Sequence, residues 1–332
     1  MEMTLEKPGH LMAKESAEAL GVFAKAATQK VALPTGWAPK AIYTVARGSS
    51  DAAANILSYE FMRELGVPMT SLPPSVFSLG GGVMMTEAAA LVISQSGASD
   101  DLVHSAHGAA RNGARVMAIT NQPRSAVEAA ADVTVPIGAG PELAVPATKS
   151  VIGSVAAGMA LLHAIKPEYD PAPSAAALAD LTPDHAKLTA LRSALHAAKH
   201  VYVIGRDTGF GAAHEVALKL KECCALHAEA YSSSEVLHGP LQLATKPLMV
   251  LILDTGTDVT QASLNEAQTR FEAVGCDVHR IRVADFTSAD ITPAAAAALL
   301  LAALYPVILD AALAMGMDPD APETLSKVTK TT

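Results

Sequence analysis

The sequence is poor in cysteine, in aromatic residues and in charge. Its 332 residues contain three cysteines, and aromatic and charged residues make up only 4% and 17% of the chain. The cysteines are Cys223, Cys224 and Cys276, an odd number that lacks the spacing of a disulfide framework or a zinc site. We therefore expect reduced thiols in a cytoplasmic protein.

Positive charge is also scarce, since 24 Lys and Arg residues face 33 Asp and Glu residues and the formal net charge is −9. This balance argues against a nucleic-acid partner bound through a broad basic surface. No signal-peptide core is apparent. The longest apolar run, Pro293–Leu309, is near the lower limit for a membrane span. Because it is rich in alanine, contains Pro306 and runs into Asp310, we predict a buried helix and no membrane partner.

Apolar residues make up half of the chain, and they form two alternating kinds of segment. Short apolar runs such as Ala41–Ala46 and Ala89–Ile93 are typical of buried parallel strands. They alternate with helical stretches, for example at residues 51–65 and 101–111. This alternation predicts the α/β class, with a flavodoxin-like, doubly wound parallel sheet between two helical layers.

The same pattern occurs twice in the sequence. Residues 42–47 align with residues 201–206, and residues 92–97 align with residues 251–256, both at an offset of 159 positions. A constant offset with strands and turns in phase indicates an internal duplication. We predict five segments: an N-terminal helical segment (1–29), a first α/β unit (30–166), a linker (167–185), a second α/β unit (186–315) and a tail (316–332).

The two copies differ in the turn after the third strand. The first copy has Ser94-Gln-Ser-Gly-Ala-Ser99, and the second has the acidic turn Asp254-Thr-Gly-Thr-Asp258. A serine-rich turn that enters a helix offers hydroxyls, N–H groups and a helix N-terminus, which bind phosphate without an arginine. An acidic turn would repel phosphate. We therefore predict a phosphate site in the first copy, with further donors at residues 48–50, although serine and glycine are also ordinary turn residues.

The second copy carries a charged helix. Glu215, Lys219 and Glu222 are spaced i, i+4 and i+7, so they share one helix face. Two carboxylates and an amine beside a polar segment suit an enzyme that moves protons on a small polar substrate. The alternative is a surface helix with an ordinary ion pair. A zinc site at His227, Glu229 and His238 is disfavoured because the ligand spacing is not compact, and we predict no metal.

These motifs resemble the sugar isomerase (SIS) domain family, specifically the tandem-SIS isomerase half of glucosamine-6-phosphate synthase. The resemblance covers nearly the whole chain and implies tandem SIS domains, a phosphosugar ligand, no cofactor and a homodimer with a shared site. The motifs that carry it are Gly48-Ser-Ser50, Ser94-Gln-Ser-Gly97 with Ser99, Val145-Pro-Ala-Thr-Lys149, Ala217-Leu-Lys-Leu-Lys-Glu222, His227-Ala-Glu-Ala-Tyr231, His238-Gly-Pro240 and Leu325-Ser-Lys327.

The resemblance also implies a role for each site residue. Glu222 would carry a proton between C1 and C2 of the open-chain sugar, and Lys219 would stabilise the enolate-like oxygen. His238, from its own or the neighbouring subunit, would assist ring opening. Lys327 on a mobile tail would close over the substrate and could form an imine. The phosphosugar would be bound by Gly48, Ser49, Ser50, Ser94, Gln95, Ser96, Ser99, Val145 and Ala147.

Two departures from the family pattern bear on the reaction. The family's glutaminase half uses an N-terminal cysteine, whereas this sequence begins Met1-Glu2 and has no cysteine before Cys223. We therefore expect glutamine not to be the nitrogen donor, and we predict deamination of glucosamine 6-phosphate to fructose 6-phosphate and ammonia. The second departure is Ala147, which stands where the family has a serine and leaves the substrate's hydroxyl pattern open.

Three alternative functions remain open. One is a deglycase that splits a fructosyl-amine 6-phosphate. Another is a galactosamine-6-phosphate deaminase or a ketose–aldose isomerase. The third is a non-catalytic module that senses phosphosugars.

Overall fold

The computed structural model describes residues 7–184 and 188–327 of the chain. Three parts of the predicted segments lie outside the described residues. These are residues 1–6 of the N-terminal segment, residues 185–187 where the linker meets the second unit, and residues 328–332 of the tail.

The first sheet contains five parallel strands: β1 (Ala41–Val45), β2 (Met69–Ser71), β3 (Ala88–Ser94), β4 (Arg115–Thr120) and β5 (Val133–Pro136). Their order in the sheet is β2-β1-β3-β4-β5. In the register, Ile42 lies opposite Met69 on one side and Ala89 on the other. Every residue of the central strand β3 is buried, as expected for a parallel strand with both faces covered.

The second sheet contains four parallel strands: β6 (His200–Gly205), β7 (His227–Ser232), β8 (Met249–Asp254) and β9 (Asp277–Arg282). Their order is β7-β6-β8-β9, which repeats the order β2-β1-β3-β4 of the first sheet. The predicted duplication and fold class are therefore confirmed. Within the described residues, only β5 of the first sheet has no counterpart in the second.

Helices cover both sheets. Those of the first half are α1 (His10–Ala17), α2 (Ala19–Ala27), α3 (Gly48–Leu65), α4 (Ser75–Ser78), α5 (Asp100–Arg111), α6 (Ala126–Ala129) and α7 (Lys149–Ile165). Those that follow are α8 (Ala172–Ala179), α9 (Thr189–Ala197), α10 (Thr208–Cys224), α11 (Asp258–Ala273) and α12 (Pro293–Ala314). Short 3-10 turns occur at Glu235–Leu237, Pro240–Thr245 and Val283–Asp285.

The segment predicted as a linker contains a helix of its own. Helix α8 lies within residues 167–185 and packs against α2, burying Ala175 and Leu178. Its Ser174 hydroxyl accepts a hydrogen bond from the N–H of Thr292 at 2.9 Å, just before α12 begins. The segment is thus part of the packed structure, because its alanine-rich sequence has a high helix propensity.

Helix α12 is 22 residues long, and by length and composition it is apolar enough to cross a membrane. However, 83% of its most apolar stretch of 18 residues is buried inside the fold. It packs against α10, α9, α7 and α1. The prediction of a buried helix is therefore confirmed. Helix α7 is likewise covered by helices of the same chain, namely α2, α3 and α12. The homodimer that the resemblance implies stays a prediction.

The two units meet where α3 of the first packs against α10 of the second. The helices approach closely at Gly211 of α10. A Cβ at this position would lie 2.6 Å from the Ile56 backbone nitrogen and 3.1 Å from the Ala52 carbonyl oxygen. An ion pair between Arg63 and Asp207 at 2.5 Å joins the same helices near the start of α10. This contact places α10 beside the first sheet.

We predict that Gly211→Ala destabilises the protein by about 1–3 kcal/mol, because the added methyl group overpacks the contact between α3 and α10. Gly21→Ala in α2 is the matched control. No atom lies within 4 Å of a Cβ at Gly21, and alanine favours a helix by up to about 1 kcal/mol over glycine. Urea unfolding measures both effects through the transition midpoint. A Gly211→Ala midpoint at or above the wild-type value would contradict the close contact.

Candidate active site between the two units

A cleft of about 280 Å³ lies beside the carboxyl ends of the first sheet's strands, where α10 and the tail meet the first unit. Ligands of open α/β sheets bind at this edge. The wall contains 11 of the 13 predicted site residues: Gly48, Ser49, Ser50, Ser94, Gln95, Ser96, Ser99, Val145, Ala147, Glu222 and Lys327. Lys219 lies directly behind this wall, bonded to Ser49 and Glu222.

The serine turn has a fixed backbone and open donors. The Ser94 hydroxyl accepts a hydrogen bond from the Gly97 N–H at 3.0 Å. Gly97 has a φ of +60°, and a Cβ there would collide with the Ser125 hydroxyl, so the turn requires glycine. Helices α3 and α5 begin at the cleft, and in neither does the side chain of the N-cap residue bond the helix N-terminus. Their first N–H groups and the Ser99 hydroxyl can therefore bind an anion.

The predicted charged face of α10 is confirmed, and it is buried. Lys219 Nζ lies 2.5 Å from Glu222 Oε2, 2.9 Å from Ser49 Oγ and 3.3 Å from Glu215 Oε1. These three acceptors match the three N–H groups of an ammonium. Burial by itself lowers the pKa of Lys219, but the charges of Glu215 and Glu222 outweigh burial and hold that pKa above its ordinary value. The lysine is therefore charged within the fold.

The two carboxylates that contact Lys219 are in different environments. Burial raises the pKa of Glu215 to about 7, although Lys219 opposes this shift. Glu215 Oε2 is buried and has no hydrogen-bond partner among the described residues, and Oε1 accepts a hydrogen bond from the Tyr305 hydroxyl at 3.3 Å. Glu222 is 25% exposed and lines the cleft. Of the two, Glu222 is therefore the carboxylate that a ligand can reach.

A buried carboxylate that the sequence did not reveal, Glu142, holds the predicted tail lysine. Glu142 accepts hydrogen bonds from the N–H of Thr148 at 3.0 Å and from the Ser150 hydroxyl at 2.5 Å. Lys327 Nζ lies 3.2 Å from Glu142 Oε2. Burial raises the pKa of Glu142, but Lys327 and the hydrogen bonds from Ser150 and Thr148 outweigh burial, and the pKa is lowered. The only sequence signal for Glu142 is that it shortly precedes the Val145–Lys149 motif.

The tail is also attached to the N-terminal helix. Asp318 Oδ1 accepts a hydrogen bond from the Gly9 N–H at 3.0 Å. Asp320 accepts hydrogen bonds from the N–H groups of Leu11 at 2.8 Å and Met12 at 2.9 Å. These carboxylates cap the N-terminus of α1, where negative charge is favourable. Residues 325–327 of the same tail line the cleft wall. Closure of the tail over a substrate stays a prediction.

Two further charged residues of the cleft wall, Arg47 and Asp101, were not predicted as site residues. The Arg47 guanidinium donates to Asp101 Oδ2 through Nε at 2.6 Å and lies 2.5 Å from it through Nη2. The pair joins the start of α3 to the first turn of α5, at the same end of the cleft as the serine turn.

His238 does not line the cleft of a single chain. It is exposed and follows the 3-10 turn Glu235–Leu237, and its backbone N–H donates to the Glu235 carbonyl at 3.0 Å. Its assignment to ring opening, from its own or the neighbouring subunit, stays a prediction.

The other two residues of the disfavoured zinc site, His227 and Glu229, have partners of their own. His227 packs against His200, with their Nδ1 atoms 3.1 Å apart, and Glu229 accepts from the Tyr231 hydroxyl.

The acidic turn of the second unit is neutralised by an arginine. Arg280 contacts Asp254 Oδ2 at 2.7 Å and 3.0 Å, and Gln261 donates to Asp254 Oδ1 at 2.9 Å. Burial raises the pKa of Asp254, but these hydrogen bonds and the Arg280 charge outweigh burial and lower it. The second turn is therefore closed by an ion pair within its own unit, whereas the serine turn of the first unit is open.

Comparison with known proteins finds one domain in both halves of the chain. The SIS domain matches residues 37–164 and 194–317. A glutamine–fructose-6-phosphate aminotransferase (isomerizing) from Symbiobacterium thermophilum is 32% identical over 311 residues, which are 85% of this chain and 50% of the relative. The chain thus spans about half the length of the curated relatives that it matches.

Solved structures show the same fold over nearly the whole chain. A crystal structure of a candidate phosphosugar isomerase from Silicibacter pomeroyi is 32% identical, with a TM-score of 0.75 over 93% of this chain and 94% of that one. A glucosamine-6-phosphate deaminase from Thermotoga maritima is 19% identical, with a TM-score of 0.74 over 97% of this chain and 100% of that one. The second likeness shows the fold alone. With one matched segment in each half, the chain belongs to the SIS domain family.

Proposed function

We propose that the chain is a phosphosugar isomerase-type enzyme that deaminates glucosamine 6-phosphate to fructose 6-phosphate and ammonia. The observation that carries the proposal is the contact between Glu222 and the buried ammonium of Lys219 at 2.5 Å, on a cleft wall that also contains the serine turn. A reachable carboxylate beside a fixed positive charge can carry a proton, and the turn can hold a phosphate.

The proposed reaction begins with the open-chain amino sugar, its phosphate at Ser94–Ser99 and the N-terminus of α3. Glu222 removes the proton from C2 and returns it to C1, while one proton passes from the C2 amine to the C1 oxygen. The C1 aldehyde and C2 amine thereby become a C1 hydroxymethyl group and a C2 imine. Water then adds to the imine carbon, and ammonia leaves. The general base in this sequence is Glu222, whose Oε2 lies 2.5 Å from Lys219 Nζ.

The buried ammonium of Lys219 can also stabilise the negative charge that develops on the substrate during the reaction. Removal of the C2 proton places negative charge on the oxygen at C1. A positive charge that is already fixed by Glu215 and Ser49 needs no reorganisation when that charge develops.

The proposed deamination needs no thiolate nucleophile, whereas a glutamine-dependent synthesis does. Hydrolysis of glutamine by cysteine requires a thiolate nucleophile. Burial raises the pKa of Cys223 far above neutral, raises that of Cys224 to about 12 and also raises that of Cys276. These 332 residues therefore offer no thiol that is ionised near neutral pH. The isomerase groups need only water to release ammonia from an amino sugar.

A second candidate function is a fructosyl-amine 6-phosphate deglycase. A cavity of about 550 Å³ is lined by the end of α10 and by the tail, and it shares Glu222 and Leu325 with the cleft. Its wall also contains the charged residues Lys221, Asp318 and Glu323. A substituent on the sugar nitrogen that is larger than ammonia would have room there. The same proton transfer by Glu222, in the ketose-to-aldose direction, would give an imine at C1. Water would then hydrolyse this imine to an aldose 6-phosphate and the larger amine.

We expect the purified protein to release ammonia and fructose 6-phosphate in equal amounts from glucosamine 6-phosphate. A coupled assay for each product measures this, with free glucosamine as the control that lacks the phosphate.

Galactosamine 6-phosphate tests the hydroxyl pattern that Ala147 leaves open. Turnover of a fructosyl-amine 6-phosphate without ammonia release from either hexosamine would replace the first candidate with the deglycase. Inactivity toward all of these substrates, with bound phosphosugar, would favour a sensing module.

Glu222→Gln should lower kcat by about 10²–10⁴-fold, because the amide cannot accept the substrate proton. Binding of the phosphosugar, measured by calorimetry, should be retained, because the serine turn is unchanged. Glu229→Gln is the control, since this carboxylate contacts Tyr231 and does not line the cleft. A Glu222→Gln variant with near wild-type kcat would remove Glu222 from the proton transfer.

Ser96→Ala should weaken binding of glucosamine 6-phosphate by roughly tenfold, the effect of losing one hydrogen bond to a charged group. Binding of free glucosamine should change little. The duplication offers a matched control in Thr255→Ala, because Thr255 is the equivalent residue in the turn of the second unit and lies away from the cleft. If both variants bind the phosphosugar equally well, the serine turn is not the phosphate site.

A further inference from the structure

We propose that Arg47 binds the phosphate group in this cleft and so sets the preference for phosphorylated sugars. The nature of the ligand rests on the proposed function. The sequence predicts that hydroxyls, N–H groups and helix ends bind the phosphate without an arginine. The structure adds a guanidinium to that set, and its geometry differs from that of an ordinary surface arginine.

Arg47 stands between the two helix ends that open on the cleft. It directly precedes α3, which begins at Gly48, and its guanidinium reaches Asp101 in the first turn of α5. Residue Ser99 of the serine turn immediately precedes α5. A phosphate group bound at these helix ends would therefore lie beside the guanidinium.

The guanidinium is held in place but retains donors. Its two contacts with residues that the structure describes, through Nε at 2.6 Å and Nη2 at 2.5 Å, use one oxygen of Asp101, Oδ2. The other oxygen accepts the Leu102 N–H at 2.9 Å, and the Asp101 side chain is only 1% exposed. An arginine has five N–H groups, so three remain for a ligand. Because the Arg47 side chain is 51% exposed, these donors are accessible, and a planar guanidinium suits phosphate oxygens.

The two lysines of the site, Lys219 and Lys327, already have partners within the protein. The described cleft wall contains two cationic side chains, Arg47 and Lys327. Lys327 is paired with Glu142 at 3.2 Å. Lys219 lies behind the wall, and its three N–H groups face Ser49, Glu215 and Glu222. Arg47 is therefore the cation of this wall that is best placed to meet a phosphate dianion.

The internal duplication provides a comparison within the same chain. Arg206 is the equivalent arginine, 159 positions later at the end of β6, and Thr260 stands where Asp101 stands in the first unit. Arg206 donates to the hydroxyls of Ser232 at 2.7 Å and Ser234 at 2.5 Å, and it does not line the cleft. Both copies thus carry an arginine after their first strand, but only the first holds it with a buried carboxylate at the cleft.

The test is calorimetric titration of the full chain with inorganic phosphate and with glucosamine 6-phosphate. We expect Arg47→Ala to weaken both by roughly 10- to 100-fold, the effect of losing charge-assisted hydrogen bonds. Arg47→Lys should bind with intermediate affinity, because it keeps the charge but loses the planar donor group. Arg206→Ala should bind inorganic phosphate with the wild-type affinity.

A double variant, Arg47→Ala with Asp101→Asn, separates direct binding from the effect of an unpaired Asp101 charge. It should bind phosphate as weakly as Arg47→Ala if the guanidinium contacts the ligand. Recovery of wild-type phosphate affinity in the double variant would overturn the proposal. So would wild-type affinity of a folded Arg47→Ala protein, or an equal loss in Arg206→Ala. A wild-type protein that binds phosphate through Arg47 but releases no ammonia would refute the proposed reaction and leave this inference intact.

Discussion

The site depends on one buried ion, the ammonium of Lys219. Removing an ammonium from water costs several kcal/mol unless close acceptors replace the water. Glu215 and Glu222 come from the same face of α10, but the third acceptor, Ser49, comes from α3 of the other unit. The ammonium can therefore be fully bonded only when α3 and α10 are packed together, and the close approach at Gly211 makes that packing possible. Packing of the two units and the electrostatics of the site thus depend on the same contact.

Carboxylates fix the other parts of the cleft in a similar way. Glu142 joins the start of α7 to Lys327 of the tail. Asp320 joins the tail to the N-terminus of α1. Asp101 orients Arg47 beside the serine turn. Each of these acids accepts backbone N–H groups as well as side-chain donors or lies at a helix N-terminus, where its charge is favourable. The irregular segments of the cleft are therefore held without regular secondary structure of their own.

The two units show how one fold can provide a ligand site in one copy and a structural role in the other. Their sheets have the same strand order, and both carry an arginine after the first strand. In the second copy the acidic turn is closed by the ion pair between Asp254 and Arg280. The second copy instead contributes α10, with Lys219 and Glu222, to the cleft of the first. Because the functional groups are divided in this way, neither unit contains the proposed chemistry alone.

The sequence by itself determined the parallel strands, their duplication, the serine turn and the charged face of α10. These features were predictable because alternation, helical spacing and a fixed offset are local properties of the chain. The sequence did not reveal Glu142, the pairing of Arg47 with Asp101 or the helix in the predicted linker, and the cleft formed without His238. Only the tertiary structure decided that Lys219 is buried against Ser49, 170 residues away, and that Lys327 meets Glu142, 185 residues away. Such contacts follow from how helices and tail pack, and no short pattern of residues specifies them.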